Sequence, residues 1–352
     1  MRRAWGVSLL VGVVLITAGC GGANNHALPS QPGLPAIGAN PADAPVGAAA
    51  GVNIFGHPGH EVRFVIVTHG QASDPFWAVV QHGAQAAARQ LGVSVSYEAP
   101  DSANIARMRQ LIESAIATRP AGLVVSLPNP TALAPAIHAA ERAGIPIVAI
   151  NAGSDAFRKL GILLYVGEDE YQAGLAAGER MRTRGVRHAL CVIHEADNLA
   201  LQQRCSGFAA ALAQVGGHST VLEVNLQDPP AVERRIAAAL EGGHFDGLLT
   251  LGGASIAGPT LAALRADHLL GKLPYATFGV GQQVLQAVLA GQILFAVDQQ
   301  PYLEGYLPIV LLAEYRLYGV LPDRGKVLST GPLFITKNDA RRVLALVNQG
   351  VR

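Results

Sequence analysis

From Glu61 onward the chain repeats one local pattern: a short run rich in Val, Ile and Leu, a polar turn, a helical stretch, then Gly or Pro. The runs show little apolar-polar alternation. Strands covered on both faces have this composition, and they belong to parallel sheets flanked by helices. Val62 to Val67 is the first run, followed by Val93 to Tyr97, Gly122 to Leu127, Ile147 to Ile150 and Ile162 to Val166. The rhythm then restarts with Ala189 to Ile193, Thr220 to Val224, Gly247 to Leu251, Ala276 to Val280 and Ile293 to Val297. Parallel neighbours need crossover connections, which the intervening helical stretches supply. A single sheet of ten or more strands is unusual at this length, so the pattern predicts an α/β chain of two similar, doubly wound parallel-sheet lobes.

The turns carry helix signals. Ser73-Asp74-Pro75 places an N-cap at Asp74 and a Pro at the first helical position, predicting a helix to Gln90 that stops near Gly92. Further helices are expected from about Ile105 to Thr118 and from about Thr131 to Ala143.

Charge excludes some functions. The 352 residues include 26 Lys+Arg and 25 Asp+Glu, a net charge of +1, with no basic block to neutralise a phosphate backbone. Nucleic acid is therefore not the expected partner. With 50% hydrophobic residues, the chain has ample material for a core and too little charge to remain a self-repelling coil.

The first twenty residues read as an export address. Arg2 and Arg3 precede an uncharged, largely apolar run from Val7 to Ile16, which ends in Thr17-Ala18-Gly19-Cys20. The run is too short to span a bilayer core of about 30 Å as a stable anchor. Its ending resembles a bacterial lipobox, with Thr17 where Leu is commoner. That resemblance implies a signal peptide over residues 1–19, a lipidated Cys20, and a chain lipid-anchored to the cell membrane and facing the periplasm or the exterior. Residues 20–60, rich in Gly, Ala, Pro and Asn, read as a flexible tether. His57 and His60 lie within it, and without a third ligand they are taken as solvated; no metal or cofactor is expected.

With Cys20 assigned to lipid, Cys191 and Cys205 remain. Outside the cytoplasm a disulfide between them is expected, two buried free thiols being the alternative.

In open parallel sheets, ligands bind beyond the carboxyl ends of the strands. That rule selects His69 to Trp77, Ser126 to Asn129 and Asn151 to Ser154 in the first lobe. In the second it selects His194 to Asn198, Gly252 to Ser255, Gly279 to Gln282 and Asp298 to Gln300. Aromatic rings, amides and acids without an excess of one charge suit a neutral, hydroxyl-bearing molecule. Simpler roles exist for each residue: Asp74 as a helix cap alone, Phe76 or Trp77 as core, Arg204 as a surface charge. Asn151 directly follows a buried strand and must find polar partners.

Asp74-Pro75-Phe76-Trp77, Ile145-Pro146-Ile147-Val148-Ala149-Ile150-Asn151, Arg204-Cys205-Ser206-Gly207-Phe208 and Asp298-Gln299-Gln300-Pro301 together resemble the ribose- and galactose-binding type of ABC-transporter solute-binding lipoproteins, the type I periplasmic binding proteins. The resemblance covers about residues 62 to 340. It implies two lobes joined by a three-crossing hinge near Val166, Gln300 and Val327. The lobes would comprise residues 61–166 plus 300–327 and residues 167–299 plus 328–352. They would close around a sugar or polyol and present it, as a monomer, to the permease subunits of an ABC importer.

Carried onto this chain, the resemblance makes Asp74 and Asn151 hydroxyl acceptors, Phe76 and Trp77 stacking walls, Arg204 a donor and Gln299 a clamp beside the hinge. The pattern departs where the family has an Asn or Asp after the eighth strand and an Asp after Phe278, because Gly252-Gly253 and Gly279 stand there. His194, Glu195, Asn198 or Asp298 are the expected replacements.

Enzyme signatures are missing. There is no G-x-S-x-G elbow, HExxH helix, P-loop, or Rossmann glycine fingerprint between a strand and a helix. The expectation is a binding protein without catalysis. A trap of this kind that reports its ligand to a chemoreceptor or sensor kinase is the alternative.

Overall fold

Aspartate and asparagine start the helices. In α1 (Pro75–Leu91), α2 (Ile105–Ala117), α3 (Pro130–Arg142), α4 (Glu170–Arg182), α5 (Leu199–Ala213) and α6 (Pro229–Gly243) the caps are Asp74, Asn104, Asn129, Asp169, Asn198 and Asp228. Each cap side chain accepts a backbone N–H that has no partner within its helix. Gly92 ends α1 in the left-handed region, with φ of 67°. The computed structural model describes residues 62–70 and 74–352. The signal and tether segments, with Cys20, His57 and His60, lie outside the described residues.

The first lobe is built on β1 (Arg63–Val67), β2 (Ser94–Glu98), β3 (Gly122–Ser126), β4 (Ile147–Ile150) and β5 (Leu164–Gly167). The second uses β6 (His188–Ile193), β7 (His218–Glu223), β8 (Gly247–Thr250), β9 (Tyr275–Phe278) and β10 (Phe295–Asp298). The spatial orders are β5-β4-β3-β1-β2 and β10-β9-β8-β6-β7, with every pairing among these strands parallel. The two lobes therefore share one doubly wound topology. Along β1, Val65 and Val67 join one apolar cluster while Phe64 and Ile66 join another on the opposite face. Burial on both faces accounts for the missing alternation in the sequence.

The remaining helices are α7 (Gly253–Ala266), α8 (Gln282–Leu289), α9 (Pro301–Tyr318) and α10 (Lys337–Val347). Two short strands complete the sheets. β11 (Val327–Ser329) pairs parallel to β5, and β12 (Leu333–Ile335) pairs antiparallel to β10. The chain thus passes between sheets at residues 168–169, 299–300 and 330–332. The third crossing lies beyond Val327, because Val327 itself pairs with Tyr165 in the first sheet. Three-residue strands are too short to produce a periodic signal.

Glycine pairs hold each lobe's crossing helix. α9 returns from the second sheet to lie on α1, where a Cβ on Gly305 would stand 1.9 Å from the Val80 carbonyl oxygen and one on Gly83 would stand 2.0 Å from that of Tyr302. α4 lies on α5 in the same way: a Cβ on Gly174 would meet the Arg204 carbonyl oxygen at 2.0 Å, and one on Gly207 that of Tyr171 at 2.0 Å. Both interfaces bring backbone against backbone, which only glycine permits.

Carboxylates gather where the chain crosses. Glu168, in the first crossing, and Glu304, in the first turn of α9, are both fully buried, and no oxygen of either accepts a hydrogen bond. Burial pushes both carboxyls well above the usual carboxylate range, and neighbouring Glu170 adds to the effect.

Two outcomes follow from this architecture. Gly305→Ala should cost about 1–3 kcal/mol through overpacking, read as a fall in denaturant midpoint, whereas Gly242→Ala, at an open helical position, should leave the midpoint unchanged or raise it. A carboxyl with a raised folded-state pKa contributes stability that is fully present below the unfolded value of about 4.3 and lost as pH rises toward the folded value. Glu304→Gln should therefore raise Tm at pH 7.5 and change it little at pH 4; a deficit that is the same at both values would contradict a neutral Glu304.

Candidate binding cleft

The carboxyl ends of the two sheets face one cavity of about 670 Å³. The first lobe contributes His69, Asp74, Phe76, Trp77 and Asn151; the second contributes His194, Glu195, Asn198, Arg204, Ser255, Phe278 and Gln299. The structure thus brings together nine residues expected from sequence: Asp74, Phe76, Trp77, Asn151, His194, Glu195, Asn198, Arg204 and Gln299.

Asp298 corrects that expectation. It is fully buried but does not line the cavity. Its carboxylate lies 3.1 Å from the Arg352 guanidinium and accepts the Gln300 backbone N–H at 2.8 Å. Neighbouring side chains of extended backbone point to opposite sides, so with Gln299 turned into the cavity Asp298 turns away. Burial raises its pKa, against the opposing pull of Arg352.

Aromatic rings form one wall. Trp77 stands edge-on to His69 at 4.9 Å and to Phe76 at 5.1 Å. Position 70 must be glycine for this packing, since a Cβ there would fall 1.5 Å from the Trp77 Nε1. Asn151 follows β4 in the left-handed region, with φ of 63°, a conformation asparagine tolerates better than most residues.

Arg204 is 3% exposed. Its Nε donates to Glu170, an Nη donates to the Gln299 Oε1 at 2.5 Å, and its guanidinium lies 4.7 Å over the Phe278 ring. Burial works against the charge of Arg204, but Glu170 and Glu168 outweigh it and raise the pKa. Burial pushes Glu170 upward too, while its direct contact with Arg204 pulls the other way. Glu170 thus meets the guanidinium through a direct hydrogen bond, whereas Glu168 lies 3.7 Å from it without one. Among the described lining residues Arg204 is the sole Lys or Arg, and its charge is already compensated.

Hydrogen bonds also join the lobes across the cleft. Asn198 Nδ2 donates to His69 Nε2 at 3.2 Å and to Glu195 Oε2 at 2.7 Å. His69 Nδ1 and backbone N both lie within 3.0 Å of Ser126 Oγ, which accepts from them. The arrangement fits a neutral imidazole protonated at Nδ1. Burial, reinforced by Arg204, holds the His69 pKa down to about 3, so its 3.5 Å approach to Glu195 is not an ion pair. Ser255 Oγ donates to Asp74 Oδ2 at 2.9 Å, Leu199 N–H donates to the Pro128 carbonyl at 2.9 Å, and Gln203 donates to Asp155 at 2.9 Å. Asp74 also caps α1 through the Phe76 N–H at 2.8 Å, so it serves helix and cleft together.

The strand-end rule selected segments containing His69, Ser126 and Ser255 without singling those residues out. Asn225 and Gln227, which follow β7 and also line the cavity, were reachable by applying the same rule to that strand. Phe278 ends an apolar strand and reads as core, while Glu170 reads as an ordinary acid of a helix first turn; neither carried a separate signal.

The arrangement is shared with known proteins. A periplasmic binding protein domain matches residues 64–317. A carbohydrate transporter protein from Acidothermus cellulolyticus 11B, solved in complex with myo-inositol, is 36% identical and covers 83% of this chain and 100% of its own, with a TM-score of 0.78. An ABC sugar transporter's periplasmic sugar-binding protein from Legionella pneumophila is 25% identical over 77% of this chain and 100% of its own, with a TM-score of 0.71. The xylose/arabinose-binding protein XylF of Sulfolobus acidocaldarius is 24% identical over 305 residues, 82% of this chain and 74% of that protein. With matched lobes, a three-crossing hinge and a cleft between them, the chain belongs to the periplasmic binding protein domain family.

Proposed function

We propose that this protein captures a neutral cyclic polyol or sugar between its lobes and delivers it to an ABC importer, without transforming it chemically. The observation that carries this reading is the cavity itself, which both lobes line and whose single guanidinium is neutralised from behind. Asp74 and Glu195 leave the lining slightly acidic, which disfavours anionic ligands. Polar side chains among aromatic rings suit hydroxyls on an apolar ring framework. The relative bound to myo-inositol supports cyclic polyols as the first class to test.

Asp74, Asn151, Asn198, Arg204 and Gln299 supply hydrogen bonds to hydroxyls, and Phe76 and Trp77 supply the apolar wall. Ligand touching both lobes biases an open-closed equilibrium toward closure, and the permease reads the closed shape. Cys20 carries a lipid that holds the protein at the outer face of the membrane, and residues 21 to about 60 let the folded body reach the permease. Among the described residues no helix is long and apolar enough to cross a membrane. The pairing of Cys191 in β6 with Cys205 in α5 belongs to this reading, supported by the adjacency of their sulfurs. That bond ties the strand leading to His194 to the helix carrying Arg204.

Ligand that binds only the folded state raises Tm, by the equivalent of about 2.7 kcal/mol at a hundred times Kd. A thermal-shift screen should show stabilisation by myo-inositol or by a pentose or hexose, followed by calorimetric titration to fix the affinity. Stabilisation by amino acids alone would overturn the reading. Replacing both Cys191 and Cys205 by Ala should cost about 3 kcal/mol on the chain-entropy account of a loop of this size, measured by denaturant unfolding under non-reducing conditions. Equal midpoints for the two proteins would show that the thiols are not paired.

A further inference from the structure

Among the described residues that line the cavity, one side chain has a buried polar atom without a hydrogen-bond partner: His194, at Nδ1. Such an atom calls for an explanation, because an unsatisfied buried group costs free energy that a substitution could recover. His194 follows β6 directly, and its Nδ1 lies against Gly252, the residue before α7. A Cβ on Gly252 would stand 3.2 Å from this nitrogen and 3.2 Å from the Ile256 Cβ.

Gly252 does not owe its identity to the backbone. Its φ of −105° and ψ of 12° are open to other residues, and an N-cap position favours Ser, Thr, Asp or Asn. Seven helices have Asp, Asn or Thr at this position, whereas α7, like α8 and α9, has no side-chain cap. What a side chain there would take up is the space beside the His194 ring. The neighbouring loops are closed to side chains as well: Gly253 and Gly279 face each other in the left-handed region, and a Cβ on either would come within 3.1 Å of the other's Cα. Around these glycines the cavity is lined by the Phe278 ring, the Ser255 hydroxyl and the His194 imidazole.

We propose that His194 and Gly252 form a specificity-determining pair, in which Gly252 forgoes a helix cap so that the His194 ring can sit at the second-lobe end of the cavity and hydrogen-bond one ligand hydroxyl. This rests on the capture of a polyol or sugar proposed above. Burial lowers the His194 pKa, and charging the ring would place a second N–H where Nδ1 now has no acceptor. The neutral ring, with Nδ1 covered against Gly252, leaves Nε2 as the nitrogen it offers to the cavity. A single nitrogen held in a packed ring distinguishes stereoisomers, because inverting one hydroxyl removes its partner without changing the size of the ligand.

The test uses the full chain and calorimetric titration with myo-inositol, its epimers scyllo-inositol and D-chiro-inositol, and D-arabinose. His194→Phe keeps a flat ring and removes the nitrogens. It should weaken the best wild-type ligand about fivefold to tenfold and shrink its preference over the epimers, while Tm without ligand stays level or rises. His194→Gln, which retains a donor, should recover part of the affinity. Gly252→Asn, which crowds the ring, should alter the ranking of ligands rather than weaken all of them equally. Two results overturn the pair: variants that bind every ligand as the wild type does, or a uniform loss across ligands accompanied by a lower ligand-free Tm. If the wild-type protein binds none of these compounds, the capture reading falls, and this inference falls with it.

Discussion

A guanidinium taken out of water needs a counter-charge in contact with it, and Arg204 meets this need within the hinge. Its Nε bonds Glu170, two residues beyond Glu168 in the first crossing, and its Nη bonds Gln299 in the second. Removing one partner of a buried pair typically costs about 3–5 kcal/mol, because the other is left as an uncompensated charge. Arg204 thus fixes two of the three crossings relative to the cavity floor. With its charge compensated by Glu170 and Phe278 beneath it, Arg204 is placed, on the proposed reading, to offer a ligand directed donors without a strong field.

The same neutrality recurs across the cleft. His69 holds no charge because burial and Arg204 both oppose protonation, so it serves as an acceptor for Asn198 and a donor to Ser126. Burial, and after it the neighbouring Glu170, likewise pushes Glu168 and Glu304 well above the usual carboxylate range. A site built this way ranks ligands by the number and direction of their hydroxyls. An ion would have to exchange its hydration for partners already engaged with one another.

How much of this was legible in the sequence depends on the physical range of each signal. The ten long strands and the cap at Asp74 are local features, and each follows from a few consecutive residues. β11 and β12 are equally real but have three residues each, too few for any period. Asp298 and Gln299 were both legible as strand-end polar residues, yet which of them faces the ligand depends on strand parity and on Arg352, more than fifty residues away. Glu168, Glu170 and Glu304 read as ordinary solvated acids. Gly331 of the third crossing lies against Glu168 and Arg204 of α5 against Glu170, contacts that no local pattern reports. The inward-facing glycines Gly83, Gly174, Gly207 and Gly305 were ambiguous in the same way, since a helical glycine signals close approach only once its neighbour is known.

Closure of the lobes rests on modest terms. The bonds from Asn198 to His69, Ser255 to Asp74, Leu199 to Pro128 and Gln203 to Asp155 each replace bonds to water, so each contributes about 0.5–1.5 kcal/mol before the cost of ordering the groups. Four such contacts, each opposed by its own ordering cost, add up to only a weak latch. That balance suits a carrier, because a latch strong enough to hold the empty protein shut would leave the closed form carrying no information. A ligand shifts the equilibrium only by the difference between its affinities for the two states. Asn151 and Trp77 lie on one lobe and Arg204 on the other, so in the proposed capture that difference would arise from contacts complete only in the closed form. On the proposed reading, Gln299 in the second crossing couples Arg204 to the segment that must bend.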